Sequence, residues 1–168
     1  IYLGGYIVIG GKQKALDFLI KELPSEDKYP FQIPYHSAFH TPLLDHIRPL
    51  AESSFKNISF DKPTIPLVDG RGRIWTPWST SVDELYDYTL NYQVTKTYNF
   101  SSSLIVALKE FSPDNVILLG PGNSLGGPVA QVLIDHSWND LNSKDAFTES
   151  QNKDPFLISM GMEEQRDM

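Results

Sequence analysis

NVILLGPGNSLGGPVAQVLI, residues 115–134, is the stretch on which the fold turns. NVILL is short and apolar after its first residue, the pattern of a strand covered on both faces in a parallel sheet. GPGNSLGG interrupts it, and PVAQVLI starts a helix. Strand, glycine loop, helix is a doubly wound α/β pattern. The glycines admit two readings. One is a phosphate or dinucleotide loop at a helix N-terminus. The spacing is Gly120-x-Gly122-x-x-x-Gly126 rather than GxGxxG, and no GKS/T ending follows. The other reading, which these departures favour, is a tight turn where a strand passes under a helix and glycine permits close approach.

Working back from that stretch, residues 101–111 predict a helix with Leu104, Ile105, Leu108 and Phe111 on its inner face. Ser81 and Glu84 have capping-box spacing ahead of VDELYDYTLNY. Residues 69–80, rich in Gly, Pro and Trp, read as a shaped loop. Residues 69–138 are therefore expected to belong to a larger parallel-sheet domain. Beyond Trp138 the sequence turns polar and closes with FLISM and an acidic end, so 139–168 are expected to form a surface tail.

The first 68 residues follow another rhythm. YIVI (6–9) reads as a buried strand and KQKALDFLIKEL (12–23) as an amphipathic helix. YPFQIPY (29–35) reads as a strand whose prolines suit an edge or a bend. Thr41 is placed to cap a helix that has Pro42 at its first position and Asp45 in its first turn. Its inner stripe is Leu43, Leu44, Ile47, Leu50, Ala51, Ser54 and Phe55. PTIPLV (63–68) is a further strand. The order is nearly that of a ferredoxin-like α/β sandwich, with one more strand to be found in 24–35. Residues 1–68 are expected to form that subdomain.

Composition narrows the function. The chain has 168 residues and a net charge of -7, with no stripe of Lys and Arg, which argues against nucleic acid as the partner. It has no cysteine, so disulfides, thiolate chemistry and sulfur-ligated zinc are excluded. No apolar run reaches the length of a membrane span, and no signal-peptide pattern is present. A cytoplasmic protein with no membrane partner is the expectation. IYLGGYIVIGG opens on strand-like residues where domains usually begin with looser sequence, so these residues are expected to be a piece of a longer polypeptide.

Three of the four histidines lie in YHSAFHTPLLDHI, residues 35–47. His36 and His40 are four apart, a metal-binding spacing on a helix, but Pro34 and Pro42 flank them and exclude one shared helix. No cluster of acids completes a ligand set, so no metal site is expected. His40 sits just before a helix. There a histidine either exchanges a proton near neutral pH or merely caps the turn at the surface, and spacing does not choose between them. The chain has no GxSxG elbow, and its serines do not fall in a recognisable nucleophile motif.

Taken together, four blocks resemble the C-terminal half of the malonyl-CoA:acyl-carrier-protein transacylase family, which includes the acyltransferase domains of fatty acid and polyketide synthases. They are YIVIGG (6–11), HSAFHTPLL (36–44), YQVTKTYNF (92–100) and NVILLGPGNSLGG (115–127). The resemblance implies a ferredoxin-like small subdomain and part of an α/β-hydrolase-like parallel-sheet domain. It also implies that His40 is the catalytic histidine and that the main-chain carbonyl of Gln93 is the acceptor for its imidazole. Phe39 falls at a substrate-binding position, where Phe accompanies malonyl specificity. The implied substrate is a coenzyme A thioester, with no cofactor and no metal. The implied partners are an acyl carrier protein and the missing N-terminal half of the same domain. That half would carry the family's serine nucleophile and the arginine that pairs with the malonyl carboxylate, neither of which has a counterpart here. There are departures: His36 and Ser37 stand where members usually have Ser, then a small residue or His; Thr41 replaces Ser, Thr97 and Tyr98 replace Pro and Val, and Leu118 replaces a common Glu. Other readings remain open: a related acyl transferase or hydrolase with another acyl substrate, a nucleotide-binding domain, or a non-catalytic α/β interaction domain.

Overall fold

The computed structural model describes residues 1–166. The protein is a mixed α/β chain. An antiparallel pair, β1 (Tyr2–Leu3) and β2 (Tyr6–Ile7), comes first, followed by α1 (Gln13–Glu22). A 3-10 turn over Pro42–Ile47 runs into α2 (Arg48–Phe55), and β3 (Leu67–Val68) pairs with β4 (Ile74–Trp75). Next, α3 (Val82–Asp87) continues through a π-helical stretch, Tyr88–Tyr92, into α4 (Gln93–Thr95). Then come α5 (Phe100–Phe111), β5 (Val116–Leu118), α6 (Gly126–Asp135), a 3-10 turn at Trp138–Asp140, α7 (Lys144–Lys153), β6 (Leu157–Ser159) and a 3-10 turn at Glu163–Gln165.

The chain divides into two compact units. One holds Val8–Leu67 and Ile74–Tyr98 with Ile1; the other holds Tyr2–Ile7, Val68–Arg73 and the chain from Asn99 onward. The boundary expected at residue 68 is thus displaced: residues 74–98 belong with the first unit.

The second unit contains the stretch that decided the sequence reading. Leu108, Val129, Leu133, Leu141 and Leu157 form its buried core, with Phe100, Leu104, Ile105 and Val116 packed against them. On α6 the buried residues are Pro128, Val129, Val132 and Leu133, a stripe along one helical face. Asn99 caps α5 by accepting from the Ser102 N–H at 2.9 Å, and Ser112 ends it in the left-handed conformation. β5 pairs in parallel with β6, with Val116 opposite Leu157 and Leu118 opposite Ser159.

That pairing corrects the expected tail. Residues 139–168 supply α7 and β6, and both Leu157 and Ser159 are buried. The Gln151 side chain accepts from the N–H groups of Phe156 and Leu157 and donates to the Leu157 carbonyl, which fixes the entry into β6. The polar composition belongs to α7, which buries no residue fully, and it hides a three-residue strand behind it. After β6 the chain turns at Gly161, where a Cβ would fall 2.2 Å from the Gly122 carbonyl. Only glycine fits so close to the GPG turn.

The DGRGR turn is built on Asp69, which is buried. Its carboxylate accepts from the main-chain N–H groups of Arg71 and Arg73 at 2.8 and 3.1 Å, and from the Arg71 guanidinium at 2.6 and 3.0 Å. Burial pushes the carboxyl up, but the Arg71 side-chain bond, the two main-chain N–H groups and the Arg71 charge outweigh it and hold it below the usual range.

The first unit is mainly helical, and its core is small: Trp75, Leu85 and Tyr88, with Phe60 and Tyr92 against them. The expected ferredoxin-like sheet over 1–68 is not formed among the described residues. Of YIVI only Tyr6 and Ile7 are in a strand, residues 29–35 form none, and only Leu67 and Val68 of PTIPLV do. Pro30, Pro34, Pro63 and Pro66 bring no N–H to a ladder, which is the physical reason for the last two failures. The helices come where periodicity places them, but of the expected inner stripe at 43–55 only Leu44 is buried, and Leu50 is 66% exposed.

Candidate functional site

The site grows from the turn that ends residues 35–41. Phe39 donates its N–H to the Ser37 carbonyl at 2.8 Å. The Thr41 hydroxyl donates to the Ala38 carbonyl at 2.7 Å and accepts from the Leu43 N–H at 3.3 Å, so Thr41 closes the turn and caps the helical run together. Gly10 lies against it: a Cβ there would stand 2.9 Å from the Thr41 methyl. Between these ties His40 has φ of 62°, a left-handed backbone that costs a non-glycine residue about 1–2 kcal/mol.

Two hydrogen bonds hold His40 in that conformation. Its main-chain N–H donates to the Val94 carbonyl at 2.8 Å, and its Nδ1–H donates to the Gln93 carbonyl. Both acceptors lie in the last turn of the helical run Val82–Thr95, where carbonyls lack an intrahelical donor. The run is π-helical immediately before Gln93. The helix end needs donors, and His40 supplies two. A carbonyl only accepts, so Nδ1 carries the proton, and in the neutral ring Nε2 is left with its lone pair as an acceptor.

Aromatic rings flank the imidazole. The Tyr98 ring centroid is 5.3 Å away, tilted by 48°, and that of Phe39 is 6.5 Å away, tilted by 54°. Tyr98 is half-buried and Phe39 half exposed. Of the residues singled out in the sequence, the structure brings together His40, Gln93 and Phe39, and Gln93 joins through its main chain. The Val94 carbonyl, Tyr98 and the left-handed turn were not foreseen. A signal for Tyr98 existed, because it stands in the same YQVTKTYNF block as Gln93.

The other histidines lie apart from this contact. His36 is exposed, and His46 donates from Nδ1 to the Leu43 carbonyl at 2.9 Å. Among the described residues, no group of three or more His, Asp or Glu side chains is placed to hold a metal ion. The Gly120–Gly127 loop has left-handed glycines at 120 and 122 and is largely exposed. Among the described residues no helix is long and apolar enough to cross a membrane. Comparison with family models, with curated proteins and with solved structures finds no match to this chain.

Proposed function

We propose that the chain carries the proton-transferring histidine of an acyltransferase that moves a malonyl group from coenzyme A to an acyl-carrier-protein thiol through a serine ester. The observation that carries this reading is the clamp on His40, whose Nδ1–H is bonded to a main-chain carbonyl while Nε2 is left as an acceptor. Such an imidazole has a fixed tautomer without a carboxylate partner, which is what a general base acting on a hydroxyl or thiol requires.

In the first step Nε2 takes the proton of a serine hydroxyl as the oxygen attacks the thioester carbon. The carbon–sulfur bond breaks, and the coenzyme A sulfur leaves with the proton returned by the imidazolium. In the second step the carrier-protein thiol gives its proton to Nε2, its sulfur attacks the ester, and the serine oxygen leaves with that proton. The serine, and the arginine for the malonyl carboxylate, are assigned to residues outside these 168. The parallel pair β5–β6 is read as one part of a larger α/β-hydrolase-like sheet that the same residues complete. Phe39 beside the imidazole takes up volume that a methyl branch on the acyl group would need, which favours malonyl over methylmalonyl. The setting is the cytoplasm, in fatty acid or polyketide synthesis.

The test uses the full-length polypeptide that contains these residues. Intact-mass analysis after brief exposure to malonyl-CoA is expected to show a malonyl adduct on a serine. His40→Ala is expected to slow its formation by roughly 10²–10⁴-fold. Gln93→Ala is expected to change it little, because alanine keeps the carbonyl. Acylation of His40→Ala at the parent rate overturns the reading. Adduct formation with a simple acyl thioester but not with malonyl-CoA shifts it to a related transferase or hydrolase.

A further inference from the structure

We propose that Tyr98 is a positioning residue for His40: its ring closes one side of the imidazole and holds Nε2 in the direction from which it accepts a proton. The proposal rests on the reading of His40 as the base. A single hydrogen bond from Nδ1 fixes the tautomer but leaves the ring free to rock about the N–H···O contact. The left-handed backbone at residue 40 is under strain and narrows the choice of rotamer, but it does not fix the tilt of the ring. Phe39, with its ring at 6.5 Å and half exposed, is the looser neighbour. Tyr98, with its ring at 5.3 Å and half-buried, is the closer one.

The position of Tyr98 in the chain favours the role. It follows the helix end that supplies the Gln93 and Val94 carbonyls, so one short segment, 93–98, holds the histidine through both its main chain and a ring. The Tyr98 hydroxyl has no hydrogen-bond partner among the described residues. The ring, not the hydroxyl, is therefore the working part. Its centroid lies within the roughly 6 Å over which an aromatic face attracts a cation, so the imidazolium formed during transfer meets the same ring.

The test compares Tyr98→Leu with Tyr98→Phe by nuclear magnetic resonance, following the ring protons of His40 and its bonded Nδ1–H. Signals are assigned by their loss in His40→Asn, and the backbone amide spectrum reports folding. In the full-length polypeptide, the Tyr98 ring is expected to displace the His40 ring-proton signals from those of exposed His36, with the Nδ1–H protected from exchange. Tyr98→Leu is expected to move the ring signals toward those of His36 and to speed exchange of the Nδ1–H. Tyr98→Phe is expected to preserve both. Should Tyr98→Leu unfold, Tyr98→Met fills similar volume without an aromatic ring and takes its place.

In the full-length polypeptide, Tyr98→Leu is expected to lower kcat by roughly tenfold to a hundredfold with KM little changed, as a misplaced catalytic group does, and Tyr98→Phe to restore it. Unchanged His40 signals in both non-aromatic variants overturn the proposal, and so does a Tyr98→Phe variant that behaves like Tyr98→Leu. The expected spectral contrast in a polypeptide that transfers no acyl group supports the positioning contact and overturns the acyltransfer reading instead.

Discussion

The two units hold themselves together by different means. In the second, Leu108 and Leu133 have no exposed surface, and partly buried apolar residues from α5, β5 and α7 pack around the core. In the first, α1 and α2 bury no residue fully, and the core is Leu85 with a short chain of rings in which Trp75 lies 6.0 Å from Tyr88 and Tyr88 stacks at 5.8 Å on Tyr92. The candidate site lies in the unit with less core. Its geometry is set by hydrogen bonds to a helix end, so the arrangement there depends on directional contacts more than on apolar burial.

That contrast can be broken at its strongest point. Leu133→Ala removes a side chain with no exposed surface, and it is expected to cost about 2–5 kcal/mol in a denaturant unfolding experiment. A loss as small as that of a surface change would mean that the second unit's core is not what stabilises it.

Asp69 sharpens the contrast, because it is a polar fastening inside the unit held mainly by apolar contacts. Its folded carboxyl titrates below the ordinary value, so the unfolded chain binds the proton more readily. The stability it contributes is present in full above pH about 4 and disappears as pH falls through the lower folded value. Asp69→Asn is expected to cost about 1–3 kcal/mol at neutral pH and to make acid unfolding over that range less steep than in the parent. Acid unfolding curves of equal slope would remove the carboxylate from the account.

The smallest effect belongs to the first unit. Leu50→Ala alters a side chain that is 66% exposed, so it is expected to change unfolding free energy by less than about 0.5 kcal/mol. A cost near that of Leu133→Ala would show that the α2 stripe is covered in solution and would erase the difference between the units.

What the sequence made legible follows from how local each signal is. Helices at 13–22 and 100–111 come from periodicity within one element, and the one at 126–135 from the glycine loop ahead of an apolar run, while the Asn99 cap and the Ser112 end show only in the structure. Sheet membership depends on partners far along the chain. FLISM looked like a tail because β5, its partner, lies some forty residues upstream and behind a polar helix. YIVI looked like one strand ending at Gly10. Gly4 and Gly5, both at positive φ, instead make the hairpin turn that uses Tyr6 and Ile7. In the site, His40 and Gln93 were legible only through a resemblance that spans both blocks. The left-handed turn was not, because a backbone angle leaves no fixed spacing to read, and the block that holds Tyr98 did not show that its ring would meet His40.

The left-handed turn at residue 40 makes the main chain itself a filter on which side chains are admissible there. Asparagine tolerates that conformation well among non-glycine residues, whereas a branched side chain such as valine adds strain to it. A replacement of His40 therefore carries a chemical loss, and for most side chains a conformational one as well. Asparagine removes the imidazole and leaves the turn at ease; valine removes the imidazole and bends the turn as well. The difference between those two variants measures the shape of the loop apart from the chemistry it carries.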